Sequence, residues 1–221
     1  MRTPPDWLVA LSWVSLGVAF ACAGWILYDT YGRGRRQRMR VMEAVWPVTA
    51  LYFGPVAVAA YHAFGRPGAA RRPPWASTAL GVSHCGAGCT LGDVIAGFAV
   101  FAVGAEIAGH SLFAEYAGDF TLALLLGIAF QYFAIAPMRG LSPRAGLVAA
   151  AKADVLSLTA FEIGLFAWMA LQYFVVFPAP HHVSPDSPVY WAGMQLGMIA
   201  GFFTSWPVNV WLIRRGIKEA M

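Results

Sequence analysis

The sequence predicts an all-α protein, a polytopic transmembrane helical bundle of five to six spans. Of its 221 residues, 59% are hydrophobic and 12% are charged, and the mean hydropathy is +0.60. A soluble domain carries about a quarter charged residues, so this chain has too little polar surface to dissolve as a monomer. Its apolar stretches approach or exceed the ~20 residues that cross a bilayer. The loops between them are too short for a separate soluble domain.

Six apolar segments are the candidate spans. They cover residues 7–28, 41–64, 93–110, 120–136, 145–177 and 189–213. The first contains an Ala-Phe-Ala sequence at 19–21 of the kind that signal peptidase cleaves, but the apolar run continues through Tyr28, and we expect a retained helix. The second contains Pro47 and Gly54-Pro55, which predict a kink and are compatible with a re-entrant segment. The fifth is long enough to tilt or to extend into the cytoplasm.

The fifteen Lys and Arg residues predict the orientation of the core. Under the positive-inside rule, six crossings with both termini inside leave only the basic run 33–40 outside. If segment 41–64 does not cross and the N-terminus lies outside, fourteen of the fifteen are inside. In both arrangements the C-terminus is cytoplasmic, and the acidic loop 115–119 and the His181-His182 loop lie outside. The expected location is the bacterial inner (cytoplasmic) membrane.

We divide the chain into two parts. Residues 1–74 hold one or two membrane segments with basic loops, and residues 75–221 form a four-helix membrane core that carries the Cys/His motif from about residue 84 onward. The basic residues lie in short loops beside apolar segments, so they predict contact with the lipid bilayer and not with nucleic acid.

The densest polar cluster is the run 83–93, Ser-His-Cys-Gly-Ala-Gly-Cys-Thr-Leu-Gly-Asp, where the third segment is expected to enter the membrane from the cytoplasm. If the run is helical, Cys85, Cys89 and Asp93 lie at i, i+4 and i+8 on one stripe, with His84 beside them. Thiolate and imidazole ligands select Cu(I), Zn(II) or similar ions, so these four residues are candidate metal ligands. Two alternatives stay open, a thiol-redox pair and two buried packing residues.

The sixth segment adds two thioethers. Met194 and Met198 lie one helical turn apart and are soft, uncharged candidate ligands, although methionine at this spacing is also common core filler. Gly193, Gly197 and Gly201 recur every four residues, which predicts close approach of a partner helix or of a second copy in a homo-oligomer. This combination is similar to a feature of the Ctr family of copper transporters, and the similarity is limited to it.

Several polar side chains fall inside apolar segments, where they are costly and therefore informative. Asp154, Ser157 and Glu162 share a face of the fifth segment. This arrangement is compatible with a proton relay or a cation site, and the alternative is a buried hydrogen bond between helices. Gln131 and Gln195 are expected to bridge helices.

From His84 to the C-terminus the chain resembles the bacterial membrane proteins grouped as domain of unknown function 4396. The motifs that carry the resemblance are HCGAGCTLGD at 84–93, FQYF at 130–133, PMRGL at 137–141, KADVLSLTAFE at 152–162, WMA at 168–170, MQLGM at 194–198, GFFTSWPVN at 201–209 and GIKE at 216–219. The resemblance implies a membrane protein and brings no biochemistry, because the family is named for lacking one. The first two segments fall outside it.

The function expected from these residues is the binding of a soft metal ion, most simply Cu(I), and its passage across or within the membrane. The candidate ligands trace a route from His181 and His182 through Met194 and Met198 to the two cysteines. Two other classes stay open: a membrane thiol-redox protein, and an assembly or structural subunit of a larger membrane complex. The sequence contains no nucleotide-binding motif, so we do not expect ATP-driven pumping by this chain alone.

Overall fold

The computed structural model describes residues 4–37, 39–68 and 72–218, without the side chains of residues 134 and 136–139. The described residues form seven α-helices: α1 (Asp6–Leu27), α2 (Met42–Phe53), α3 (Pro55–Ala60), α4 (Pro74–Val103), α5 (Ser111–Arg139), α6 (Pro143–Leu171) and α7 (Pro188–Arg214). A π-helical turn follows α1, α3 and α6, at Tyr28–Gly32, Tyr61–Gly65 and Gln172–Val176. The predicted all-α helical bundle is confirmed.

Within the described ranges, five helices are long and apolar enough to cross a bilayer. They are α1, α4, α5, α6 and α7, and their candidate spans are 23 to 34 residues long, which exceeds the ~20 residues that a crossing needs. The chain is therefore a multi-pass membrane protein. The segment 41–64 is not among these five helices, because it is divided into the short helices α2 and α3.

Helices α2 and α3, with the turn that follows α3, form a re-entrant hairpin, called the hairpin below. The chain reverses at Gly54, whose φ of +51° is a backbone conformation that favours glycine, and Pro55 starts α3. The two ends of the hairpin meet, since the rings of Trp46 and Tyr61 pack edge to face with centroids 5.6 Å apart and Trp46 lies against Gly65. The hairpin therefore begins and ends on the same side of the bundle.

Ion pairs between arginines and the buried carboxylates of Asp29 and Glu43 fix the base of the hairpin to the end of α1. Asp29 accepts hydrogen bonds from Arg66 Nε and Nη2 at 2.9 and 2.8 Å and from Tyr61 Oη at 3.0 Å. Glu43 accepts hydrogen bonds from Arg36 Nε and Nη2 at 2.7 Å each, and this guanidinium lowers the pKa of Glu43 to about 2. The end of α1, both ends of the hairpin and the start of α4 thus share one end of the bundle, which we call the basic end.

Glycines bring α4 and α5 into backbone contact along antiparallel axes. A Cβ atom on Gly88 would lie 2.8 Å from the Gly127 backbone, and one on Gly92 would lie 2.5 Å from the backbone nitrogen of Ala123. Small residues permit this close approach in membrane helices. The contact fixes which side chains of α5 face the Cys motif.

The glycine stripe of α7 packs on α6 of the same chain. A Cβ atom on Gly201 would lie 2.7 Å from the carbonyl oxygen of Phe161. Gly193 and Gly197 face Gln172 and Leu165 in the same way. The partner helix expected for this stripe is thus α6, and a homo-oligomer formed through the stripe would require α6 to leave it.

The third predicted span has different limits in the structure. It was expected at 93–110, but α4 runs from Pro74 to Val103. Pro74 occupies the first helical turn, where proline is favoured, and Gly104, with a φ of +62°, provides a left-handed C-cap. The Cys motif therefore lies in the middle of the helix and not where the helix begins. Hydropathy places the span too late because the polar motif lowers the average over the first half of α4.

The fourth predicted span also begins earlier than expected. The sequence indicated a span at 120–136 preceded by an acidic loop at 115–119, but α5 begins at Ser111. Glu115 and Asp119 are therefore helical, and both are buried. Their spacing of four residues places them on one face of α5, and this face is turned toward the bundle interior instead of toward water.

Candidate functional site

Cys85 and Cys89 lie near the middle of α4 and face the interior of the bundle. Both side chains are 0% exposed, both are free thiols, and the two thiols are neighbours. Gly86 and Gly88 flank them. Because these glycines have no side chain, Phe161 of α6 and the backbone of α5 approach α4 closely at this level.

Each thiol has a buried carboxyl group of α6 beside it. Asp154 lies next to Cys85 and Glu162 lies next to Cys89. Both carboxyls are at most 1% exposed, and their oxygens have no hydrogen-bond partner of adequate geometry among the groups that the structure describes. An unpaired charge is costly at this depth. Each carboxyl must therefore hold a proton or balance a cation.

Toward the end opposite the basic end, which we call the far end, further carboxyl groups follow. Asp93 of α4 and Asp119 of α5 are within electrostatic reach of each other and of Glu162. None of their oxygens has a hydrogen-bond partner in the described part of the chain. Beyond them, Glu115 accepts a hydrogen bond of 3.0 Å from Tyr190 Oη. Carboxyls this close in a medium of low dielectric constant cannot all be ionised.

At the basic end, the interior closes with a hydrogen-bonded cluster. Ser205 Oγ donates to the Ser157 carbonyl at 2.8 Å, and Asn209 Nδ2 donates to Ser157 Oγ at 2.7 Å. Lys218, which is 1% exposed, donates from Nζ to Ser157 Oγ at 3.3 Å and lies within electrostatic reach of Asp154. The ammonium group is a cation tethered inside the bundle.

These groups form a polar column along the axis of the four-helix core. Its members are Cys85, Cys89 and Asp93 of α4, Glu115 and Asp119 of α5, Asp154, Ser157 and Glu162 of α6, Tyr190, Ser205 and Asn209 of α7, and Lys218 after α7. All of them are buried, and all four core helices contribute. The column runs through an otherwise apolar bundle and passes the two thiols near its centre.

His84 and Gln131 lie beside the column, away from the thiols. His84 faces α5, where its ring packs edge to face on Phe130 with centroids 6.1 Å apart. Neither ring nitrogen of His84 and neither polar atom of the Gln131 side chain has a hydrogen-bond partner within the described residues. The structure therefore does not bring His84 to the two cysteines.

Two other predicted residues lie on α7. Met198 Sδ lies 3.5 Å from Thr90 Oγ1, so this thioether is adjacent to the turn of α4 that carries Cys89. Gln195 connects three helices, since its Nε2 donates to the Leu51 carbonyl at 2.6 Å and its Oε1 accepts from Ser15 Oγ at 2.7 Å.

A complete metal-ligand shell is not preassembled. In residues 4–37, 39–68 and 72–218, no three His, Cys, Asp or Glu side chains are arranged to hold one metal ion. Of the predicted set, Cys85 and Cys89 adjoin each other, Asp93 lies one helical turn beyond Cys89, and His84 faces α5. The donors that do fit a soft ion are the two thiols, and a two-sulfur set suits an ion that accepts few ligands.

A small cavity at the far end reaches the column. Its volume is about 30 Å³, and Glu115, Tyr190 and Met194 line it together with Gln172. A buried water needs a cavity of roughly 10–15 Å³ by this measure, so the space suits one or two waters or a small ion. The cavity places Met194 and Glu115 at the beginning of the column.

The sequence did not reveal six members of the column: Glu115, Asp119, Lys218, Tyr190, Ser205 and Asn209. The signal for the first two was their spacing of four residues, which places both on one helical face if the helix begins before residue 115. Lys218 follows the last apolar segment and resembles an ordinary flanking cation. Its side chain turns inward because the chain after α7 folds back, with the Lys218 amide donating to the Leu212 carbonyl at 3.3 Å.

A family model described as domain of unknown function (DUF4396) matches residues 74–218. The chain belongs to the DUF4396 family. The match begins at the first residue of α4 and ends at Lys218, so the DUF4396 region is the four-helix core with the whole polar column. Helix α1 and the hairpin lie outside it. Comparisons with curated proteins and with solved structures gave no match.

Proposed function

We propose that this DUF4396 protein binds a soft monovalent cation, Cu(I) or a Cu(I)-like ion, between Cys85 and Cys89 and passes it along the polar column. The observation that carries the proposal is the pairing of each buried thiol with a buried carboxyl group, Cys85 with Asp154 and Cys89 with Glu162. Thiolates favour Cu(I) and similar soft ions over hard cations. Zn(II) fits less well, because it takes four ligands.

The paired groups supply the proton chemistry that binding requires. A thiol binds a metal as thiolate, so an S–H bond breaks for each metal–sulfur bond that forms, and the adjacent carboxylate is the proton acceptor. Two thiols, one protonated carboxyl and one carboxylate carry a net charge of −1. One bound monovalent cation, two thiolates and two protonated carboxyls also carry −1, with one proton released. The column thus exchanges one cation for one proton without burying additional charge.

The route that we propose begins at the far end. A soft ion meets Met194 at the cavity beside Glu115, passes Met198 next to Thr90, and reaches the two thiols. Thioethers are soft ligands without charge, so they hold such an ion more weakly than thiolates do. The carboxyl groups of Asp119 and Asp93 lie along the same path and carry the exchanged proton.

We further propose that the basic end faces the cytoplasm of a bacterial inner membrane. Because the hairpin does not cross, one end of the bundle holds the described residues 33–37, 39–40, 66–68, 72–73 and 215–218 and the α5–α6 connection. The positive-inside rule assigns such an end to the cytoplasm. The C-terminus is then cytoplasmic, and the cavity beside Glu115 opens on the opposite side.

Two other classes fit the geometry less well. Thiol–disulfide exchange needs access to the attacked sulfur, whereas Cys85 and Cys89 are both fully buried. A reversible disulfide between them, detected by mass, would favour redox chemistry instead. The role of an assembly subunit rested on the glycine stripe of α7, and this stripe is covered by α6.

The test is the metal content of protein purified anaerobically in detergent and loaded with Cu(I). Wild type should retain about one ion per chain, the Cys85→Ser/Cys89→Ser variant should lose it, and Cys22→Ser, on the isolated thiol of α1, should retain it. The double variant Asp154→Asn/Glu162→Gln should bind at least tenfold more weakly, because the carboxylate that accepts a thiol proton is removed. Equal metal content in wild type and the double serine variant would contradict the proposal.

A further inference from the structure

The hairpin reaches the centre of the bundle although it lies outside the DUF4396 match. Its tip is fixed to α7, since Phe53 packs edge to face on Phe202 with ring centroids 4.9 Å apart. Gln195 Nε2 donates to the carbonyl of Leu51 at 2.6 Å, so a backbone group exposed by the break at Gly54 has a partner. Irregular backbone at membrane depth is tolerated where protein surrounds it, and here it is held beside the Cys motif.

The tip carries Tyr52 to the two thiols. Tyr52 packs in the same buried cluster as Cys85 and Cys89, and its Oη lies 3.1 Å from where a Cβ atom on Gly86 would be. The side chain is 5% exposed. Its hydroxyl has no hydrogen-bond partner of adequate geometry in the described ranges.

A buried hydroxyl without a partner is unusual, because a lost hydrogen bond to water must be replaced. Thr90, which lies one residue beyond Cys89, already donates from its hydroxyl to the Gly86 carbonyl at 2.7 Å. The side chains of Thr49 and Ser83 also lie near the Tyr52 hydroxyl, but neither forms a hydrogen bond of adequate geometry with it. Tyr52 therefore brings an O–H donor without a fixed acceptor into the cluster that contains the two cysteines. Gly86 leaves the space that the phenol occupies.

We propose that Tyr52 is a further residue of the metal site and donates a hydrogen bond to a thiolate of the Cys85/Cys89 pair when the cation is bound. This inference rests on the proposed function. The bound state has two thiolates and one monovalent cation, so negative charge remains on sulfur, and hydrogen bonds to charged acceptors are the stronger ones. The hairpin thus completes, from outside the family match, a site whose sulfur ligands lie inside it.

The test uses Tyr52→Phe, which removes the hydroxyl and keeps the ring. Affinity for Cu(I) is measured in detergent by competition with a coloured Cu(I) chelator, beside wild type and Tyr28→Phe, which removes an exposed hydroxyl at the end of α1. Loss of one charged hydrogen bond predicts about 10- to 100-fold weaker binding for Tyr52→Phe and no change for Tyr28→Phe. In Tyr52→Phe the sulfur-to-copper absorption band should move to longer wavelength than in wild type. The hydrogen bond stabilises the sulfur lone pair, and its loss lowers the energy of the transition.

The outcomes separate the two proposals. If Tyr52→Phe binds Cu(I) with the affinity and the absorption band of wild type, the role of Tyr52 is overturned and the metal site stands. If wild type itself does not bind Cu(I), the metal site is contradicted. A second measurement does not depend on metal. In a Cys22→Ser background, Tyr52→Cys should cross-link to Cys85 or Cys89 with a short membrane-permeant thiol reagent, and failure to do so would also overturn the placement.

Discussion

At the scale of single residues, substitution of Glu162 should affect the proposed metal binding without lowering the stability of the bundle. The side chain is buried between helices, next to Cys89 and within reach of Asp93. Its oxygens have no hydrogen-bond partner among the described groups, so the residue contributes little to folding. A carboxyl that is costly at this depth and satisfies no partner indicates a functional requirement.

We therefore expect Glu162→Leu to leave the free energy of unfolding unchanged or to raise it by about 1–3 kcal/mol, because a leucine removes the desolvation cost. The same variant should lose most of its Cu(I) affinity. Unfolding by denaturant in detergent, followed by circular dichroism, measures the first effect. Ile163→Leu, on the exposed neighbouring position, is the control and should alter neither property. A large loss of stability in Glu162→Leu with intact metal binding would show that the carboxyl is structural.

The sequence identified the thiols of α4 and the carboxyls of α6 but not their pairing. Periodicity places Cys85 and Cys89 on one stripe of one helix, and Asp154 and Glu162 on one face of another. Which residues face each other depends on the packing depth of the two helices. That depth is set by Phe161 against Gly86 and Gly201, and this is tertiary information. His84 shows the same limit, since adjacency to Cys85 in sequence does not bring its ring to the thiols.

At the scale of secondary-structure elements, the α4–α5 contact sets the position of Asp119. Gly88 and Gly92 let the two helices touch through their backbones. A side chain at Gly92 would require α5 to move, and the carboxyl groups of Asp93 and Asp119 would move apart.

Gly92→Ala should therefore lower the free energy of unfolding by about 1–3 kcal/mol, the usual range for overpacking. Gly17→Ala in α1 is the matched control, because nothing lies within 4 Å of a Cβ atom there. There the substitution should be neutral or stabilise by up to ~1 kcal/mol through higher helix propensity. Denaturant unfolding of both variants in the same detergent compares them. Equal stabilities would contradict the close packing of α4 on α5.

Pro47 and Gly54-Pro55 indicated a break in segment 41–64, but the sequence did not distinguish a kinked span from a re-entrant one. A glycine–proline step breaks a helix in either case. The re-entrant path depends on contacts between residues far apart in sequence. These are the packing of the Trp46 ring on Tyr61 and the pairing of Asp29 with Arg66. These contacts bring both ends of the segment to the same side.

At the scale of the whole molecule, the charges are distributed unequally between the two ends. With the hairpin re-entrant and five crossings, the basic loops belong to one end, and the cavity beside Glu115 belongs to the other. Hydropathy predicted the helical bundle, and the placement of Lys and Arg predicts which side of the membrane its basic end faces. The buried polar column could not be predicted in full, because its members are single residues dispersed over α4–α7 and the segment after α7.

The orientation predicts the activity of alkaline phosphatase fusions in a bacterial host. A fusion after Met221 should be inactive, because the proposed orientation places the C-terminus in the cytoplasm. A fusion after Ala105, in the connection between α4 and α5, should be active. The reverse pattern would invert the side assignment and place the cavity beside Glu115 in the cytoplasm.

We expect the thiols of Cys85 and Cys89 to hold a soft monovalent ion inside the membrane. X-ray absorption at the copper edge, on protein loaded anaerobically with one equivalent of Cu(I), identifies the atoms bound to the metal. Wild type and Cys22→Ser should each show two sulfur scatterers at the copper atom, and Cys85→Ser/Cys89→Ser should show no sulfur shell. A spectrum of wild type with only nitrogen and oxygen scatterers, or one unchanged in the double variant, would contradict this expectation.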